Sequence, residues 1–114
     1  MLIQVCRAKI HRVRVTDANL NYEGSVSISS ELLAASGIRP YERVQVVNVN
    51  NGSRLETYAI EGDTGQVCLN GPAARMGQTG DIIIIIAYGF LNLEEAGSFQ
   101  PVIVHVDESN RPRS

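Results

Sequence analysis

The chain has 114 residues, room for one domain with a modest core, and at that size an oligomer interface would add useful apolar burial. Hydrophobic residues make up 44%, and ten basic against twelve acidic residues leave a net charge of −2. With no basic run beyond the scattered Arg7, Lys9, Arg12 and Arg14, nucleic acid is excluded as an expected partner. No charged leader precedes an apolar stretch, and the longest apolar run, Ile82 to Tyr88, is too short to cross a bilayer. The expectation is a soluble cytoplasmic protein with no membrane partner. Cys6 and Cys68 lie in apolar, strand-like runs without CxxC spacing and read as reduced core thiols, and nothing forms a metal-ligand cluster.

In chain order, Leu2 to Cys6 is apolar and Arg12 to Val15 alternates, giving one or two strands. Thr16 to Asn19 reads as a turn or a single helical turn. Val26 and Ile28 alternate with Ser27 and Ser29 in another strand, so the Gly24-Ser25 joint is expected between two strands. Ser29 or Ser30 is suited to cap a short helix over Glu31 to Ser36, which Gly37 ends and Pro40 cannot continue. Arg43 to Asn48 and Arg54 to Ile60 form a hairpin about Asn51-Gly52. On its return strand Tyr58 and Thr57 point to opposite faces.

After the turn Glu61 to Gly65, Gln66 to Asn70 is a short strand and Gly71-Pro72 opens a helical turn through Met76. The five consecutive isoleucines of Ile82 to Tyr88 lack alternation and predict burial on both faces. Asn92 to Ala96 reads as a short helix, Val102 to Val106 as the last strand, and Asp107 to Ser114 as a disordered tail following a single domain over 1–106. Many short strands between glycine turns imply a small all-β barrel with short helices.

One joint is chemically capable of more, although a Gly-Ser pair by itself most often marks a solvated turn. A serine directly after a glycine has its hydroxyl close to the preceding carbonyl, and glycine leaves that carbonyl open to attack. Attack of Ser25 on the Gly24 carbonyl turns the amide into an ester. Elimination across Cα and Cβ of Ser25 then releases Gly24 as a carboxylate, and hydrolysis of the dehydroalanine leaves a ketone, a pyruvoyl group, at a new N-terminus. Such a ketone condenses with an amine and accepts the electron pair left by departing CO₂.

Lys9-Ile10-His11-Arg12-Val13, Tyr22-Glu23-Gly24-Ser25, Asn51-Gly52-Ser53-Arg54, Thr57-Tyr58-Ala59-Ile60, Asn70-Gly71-Pro72-Ala73-Ala74 and Gly80-Asp81-Ile82 together resemble the pyruvoyl-dependent aspartate 1-decarboxylases, in order and near spacing from Met1 to about Val106. The resemblance implies a double-psi β-barrel, a homotetramer with active sites between subunits, self-cleavage between Gly24 and Ser25, and a covalent pyruvoyl group derived from Ser25 with no metal or dissociable cofactor. The implied reaction is decarboxylation of L-aspartate to β-alanine for pantothenate and coenzyme A synthesis. It further implies that Arg54 grips the retained carboxylate, with Lys9 nearby and the backbone of Gly71, Pro72 and Ala73 completing the pocket. Tyr58 is the implied proton donor and Thr57 contacts substrate and polarises the Gly24 carbonyl.

A phenol suits the donor role because its proton, with a pKa near 10, stays on until a strongly basic carbanion forms. An arginine suits a carboxylate because its planar fork binds both oxygens. Tyr22, Asn70 and His11 match the family, yet Tyr22 and Asn70 read equally as turn-flanking residues and His11 as a structural histidine. Val26, Val47 and Pro72 depart from residues common in relatives. Two other classes remain open on the residues alone: a non-catalytic barrel for binding or oligomerisation, and a cysteine hydrolase built on Cys68 and His11, for which no nucleophile signature exists. Ser25, Thr57, Tyr58 and Arg54 together favour the enzyme.

Overall fold

A computed structural model describes residues 1–113. Its strands are β1 (Leu2–Arg14), β2 (Asp17–Asn19), β3 (Ser25–Ser29), β4 (Arg43–Asn48), β5 (Arg54–Gly62), β6 (Val67–Asn70), β7 (Ile82–Asn92), β8 (Val102–Val106) and β9 (Pro112–Arg113). They hydrogen-bond in the order β2-β6-β3-β5-β4-β7-β1-β8-β9. Because β1 and β2 are one extended segment interrupted only at Val15-Thr16, the same stretch of chain pairs with β7 at one end and β6 at the other. The Thr16 amide donates to the Val67 carbonyl at 2.8 Å and carries the pairing across the interruption. The sheet therefore closes into a small all-β double-psi barrel, with Ile10, Val26, Ile28, Val46, Ile83 and Ile85 among its buried filling.

β1 changes phase in mid-strand. Ala8 and Ile10 are buried, then Val13 and Val15, so the inward positions switch from even to odd. A break in register between Ile10 and Val13 absorbs the extra residue, and Arg12 takes a left-handed φ of 63° there. The apolar N-terminal run and the alternating Arg12–Val15 segment are thus one bulged strand. Thr16 to Asn19, expected as a turn, is extended instead, because Asp17, Ala18 and Asn19 pair in parallel with Cys68, Leu69 and Asn70. Its polar composition hid a pairing that only the folded chain supplies.

The helix α1 (Ser30–Ser36) forms as expected. The Ser29 hydroxyl accepts the Leu32 amide, and Gly37, at φ 78°, donates its N–H to the Leu33 carbonyl. Gly71–Arg75 makes a single 3-10 turn. Asn92 to Ala96, expected as a short helix, is instead the last residue of β7 followed by turns that run from Leu93 to Ser98.

Strand β7 departs from its expected burial on both faces. Ile83, Ile85 and Ala87 are buried, whereas Ile82, Ile84 and Ile86 are only half-buried and Tyr88 is exposed, since no layer of this chain lies over the outer face of β4, β7 and β1. The tail also departs from expectation over its described part; Ser114 lies outside the described residues. Asp107 to Arg111 forms a tight turn, with the Asp107 amide donating to the Arg111 carbonyl at 2.9 Å, and β9 pairs with β8.

The turn is anchored by Asn110, which is 3% exposed and holds φ 60°. Its carboxamide accepts from the Arg14 amide at 2.9 Å and donates to the carbonyls of Arg14 at 2.8 Å and Gly65 at 3.1 Å. Removing that carboxamide leaves backbone groups without partners. Asn110→Ala should therefore lower the unfolding free energy by about 2 kcal/mol in urea denaturation.

Candidate active site

The Gly24-Ser25 joint lies where the loop Leu20–Gly24 enters β3, so ladder pairing holds it on the Ser25 side alone rather than at both ends. Gly71 presses on it from the end of β6. At φ 64°, Gly71 brings its backbone so close that a Cβ there would stand 2.8 Å from the Cα and N of Gly24 and from the Tyr22 carbonyl oxygen. Only glycine meets both demands, the left-handed backbone and the missing side chain. Pro72 closes the other side, its Cδ 3.4 Å from where a Cβ on Gly24 would be.

Ser25 is 1% exposed. Its hydroxyl donates to the Glu23 carbonyl at 3.1 Å and accepts from the Asn70 carboxamide at 3.0 Å. That same Asn70 nitrogen donates to the Ser27 hydroxyl at 2.9 Å, and the Asn70 oxygen accepts from the Cys68 thiol at 3.1 Å. Cross-strand register builds this group, since Ser25 pairs with Asn70 and Ser27 with Cys68. Cys6 and Cys68 are both free thiols.

The third wall is β5. Val26 pairs with Ala59 in parallel, and continuing that register sets Ser25 beside Tyr58 and Gly24 beside Thr57. Upstream of Ala59 the edge of β5 has no paired neighbour on this side, so residues of either face border the joint. A cavity of about 470 Å³ is lined by Gly24, Thr57, Tyr58, Pro72, Ala73 and Met76, and one of about 460 Å³ by Tyr22, Glu23, Ser25, Tyr41, Tyr58 and Glu61. Tyr58 is the wall between them. Thr57 and Tyr58, on opposite strand faces, thus border one cavity.

Tyr41 is a wall that sequence patterning missed. It holds φ 72°, a conformation bulky side chains rarely adopt, and its ring lies 6.4 Å from that of Tyr58. Its amide donates to the Ala59 carbonyl at 2.7 Å, which fixes it against β5. Position alone reveals it, because neither the turn sequence nor the residue type signals a site. Ser27 was missed for the same reason, and Cys68 stood out in the sequence only as a core thiol or a hydrolase nucleophile, not as a partner of Asn70.

Arg54, Lys9 and His11 border neither cavity at the joint. Arg54 is exposed and pairs with Val47, which in turn pairs with Ile84. Lys9 stands level with Ile86, Gln45 and Glu56, three strands from β5, or about 14 Å at ordinary strand spacing. All belong to the outer, uncovered face of the sheet. His11 is there too, its ring edge-on to His105 at 5.6 Å, bordering a separate cavity of about 690 Å³ with Arg12, Arg14, Asp107 and Arg113. Among the described residues no group of three or more His, Cys, Asp or Glu side chains is arranged to hold a metal.

The family model for aspartate decarboxylase matches residues 1–113. A protein of Salinibacter ruber named aspartate 1-decarboxylase is 60% identical, over 96% of this chain and 77% of its own. Proteins of the same name from Thermoanaerobacter pseudethanolicus and Leptospira biflexa are 54% and 52% identical, covering 93% and 99% of this chain and 92% and 98% of theirs. The chain belongs to the aspartate decarboxylase family. Among aspartate decarboxylases, then, this one places its glycine-serine joint, the Thr57-Tyr58 pair and the Asn70–Ala73 loop together within one chain, and holds Arg54, Lys9 and His11 on an open sheet face.

The ionisation of His11 gives a check on that face. Desolvation lowers its pKa from the ordinary 6.5, and the charges of His105, Lys9 and Arg12 lower it further. The unfolded chain therefore takes up this proton before the folded one does. The contribution of His11 to stability is complete above 6.5 and is lost as pH falls from there toward its folded value. Melting temperature followed from about pH 8 to about pH 5 should drop on the acid side, and less steeply in His11→Asn.

Proposed function

We propose that the chain is a self-processing, pyruvoyl-dependent aspartate 1-decarboxylase that converts L-aspartate to β-alanine and CO₂, supplying β-alanine for pantothenate and coenzyme A synthesis. The observation that carries this reading is the buried Ser25 hydroxyl, held by the Asn70 amide beside a glycine against which Gly71 lays bare backbone. Those surroundings fit the group that the family implies. No side chain crowds the Gly24 carbonyl from Gly71, and Ser25 sits in a dry pocket with a hydrogen-bond donor on its oxygen.

In processing, Ser25 Oγ attacks the Gly24 carbonyl carbon while its proton passes to the Ser25 nitrogen. Thr57, level with Gly24, polarises that carbonyl by hydrogen bonding. The pyruvoyl group, once formed, supplies an electrophilic ketone that draws electrons from the carbon losing CO₂. Tyr58 keeps its phenolic proton until the substrate Cα has become basic and then delivers it there. Gly71, Pro72 and Ala73 enclose the reacting end; Tyr22 and Asn70 flank it.

The cation for the second carboxylate comes from another copy. Arg54 and Lys9, with His11 nearby, lie on the face where Ile84 and Ile86 remain half-buried, a surface suited to a second subunit, and the proposed assembly is a homotetramer with shared sites. Neither a metal nor a dissociable cofactor is part of the proposal, and the enzyme is assigned to the cytoplasm. No helix among the described residues is long and apolar enough to cross a membrane.

The test is a denaturing mass spectrum, which should resolve a 24-residue fragment and one of the remaining 90 residues, the larger blocked at its N-terminus. Ser25→Ala should stay intact. An uncleaved parent chain after prolonged incubation overturns the proposal. Tyr58→Phe should still give both fragments but decarboxylate aspartate about 10²–10⁴-fold more slowly, the usual worth of a positioned general acid; turnover at the parent rate would assign the proton to another group.

A further inference from the structure

We propose that Cys68 and Ser27 are positioning residues for self-cleavage, holding the Asn70 carboxamide with its N–H edge toward Ser25 Oγ. The inference rests on the self-processing reading above. A carboxamide has two ends of nearly equal shape, and its neighbours decide which way it points. At Asn70 the oxygen end meets the Cys68 sulfur at 3.1 Å, while the nitrogen end meets two hydroxyl oxygens, of Ser25 at 3.0 Å and Ser27 at 2.9 Å. A protonated thiol donates and is a poor acceptor, so it selects the oxygen. Burial pushes the Cys68 pKa up, with the charge of Asp17 adding to it, and the proton stays on sulfur. All four residues are between 1% and 7% exposed, so solvent offers little to replace a lost partner.

Reversed, the amide would aim its oxygen at a Ser25 oxygen whose own hydrogen is already given to Glu23. Two acceptors would then face each other in a dry pocket. The orientation matters most after the ester has formed. Elimination passes the Ser25 Cα proton to water, makes the Cα–Cβ double bond and breaks the Cβ–Oγ bond. Oγ then leaves with the electron pair as one oxygen of the Gly24 carboxylate. Water afterwards adds to the new terminus and ammonia departs, leaving the ketone. Negative charge thus develops on the very atom at which the Asn70 N–H is aimed, so the arrangement acts as a preformed cradle for a departing oxyanion.

The experiment follows cleavage of freshly made full-length chain by denaturing mass spectrometry, with and without hydroxylamine. Brief hydroxylamine treatment at neutral pH splits an ester, giving a 24-residue hydroxamate and a 90-residue fragment that begins with Ser25; any cut at the Asn51-Gly52 or Asn70-Gly71 bond, which alkaline hydroxylamine also attacks, gives different masses. Cys68→Ala should slow the appearance of the blocked 90-residue fragment about tenfold and accumulate hydroxylamine-sensitive chain. Cys68→Ser, which restores a donor, should recover to within about threefold of the parent. A purely packing role for Cys68 predicts neither the trapped ester nor the rescue. Cleavage of Cys68→Ala at the parent rate, or a Cys68→Ser variant as slow as Cys68→Ala, overturns the inference. If Cys68→Ala does not fold, Ser27→Ala carries the test: slowed release with trapped ester supports the inference, and a parent rate overturns it. A parent chain that never cleaves would instead remove the self-processing reading itself.

Discussion

The contact between the backbones of Gly71 and Gly24 sets the geometry on which the rest of the site depends. A methyl group at position 71 would stand 2.8 Å from two Gly24 atoms, inside any tolerable separation, so β6 and the entrance to β3 meet only because a side chain is absent. From that point the chain places what precedes and follows Gly71 without further choice. Asn70, the last residue of β6, reaches the Ser25 hydroxyl, and Pro72 covers Gly24 from the next turn. The β3–β5 register then brings Thr57 and Tyr58 alongside.

The barrel separates two kinds of surface by simple alternation. Inward positions of β4 and β7 include the fully buried aliphatics Val44, Val46, Ile83 and Ile85. Outward positions of the same strands combine half-buried aliphatics with Gln45, and continue onto Lys9 of β1 and Arg54 of β5. Isolated aliphatics at a surface are ordinary, but a ribbon of them bounded by cations is the composition expected of a protein interface. The five isoleucines thus divide between two surfaces, Ile83 and Ile85 in the core and Ile82, Ile84 and Ile86 half-buried on the outer face.

Local signals were the legible part of the sequence. The cap at Ser29 and stop at Gly37, the hairpin at Asn51-Gly52 and the turn opened by Pro72 each depend on residues adjacent in the chain, and each stands where the pattern puts it. The Gly24-Ser25 joint was legible for the same reason. What escaped depends on distant partners. Asp17–Asn19 became a strand because β6 lies beside it, Arg12 became a bulge to keep β1 in phase with β7, and Asn110 ordered the tail by bonding to Arg14 and Gly65. Thr57 and Tyr58 point to opposite faces as alternation requires, yet both border the cavity beside Gly24, where β5 has no paired strand on that edge among the described residues.

Closure of the barrel by the Leu2–Asn19 segment bears on what happens to the two pieces of a cut chain. Everything before residue 25 is one stave of the barrel, clasped by β7 and β8 at one end and β6 at the other. A break at the joint opens the covalent thread but none of these ladders, so the short piece remains as a non-covalent member of the same wall. The order of events follows as well. The groups that crowd the joint arrive from β3, β5 and β6 and converge only when the ring is complete, so the cleavage proposed above would wait on folding: a half-made chain would have nothing with which to cut itself.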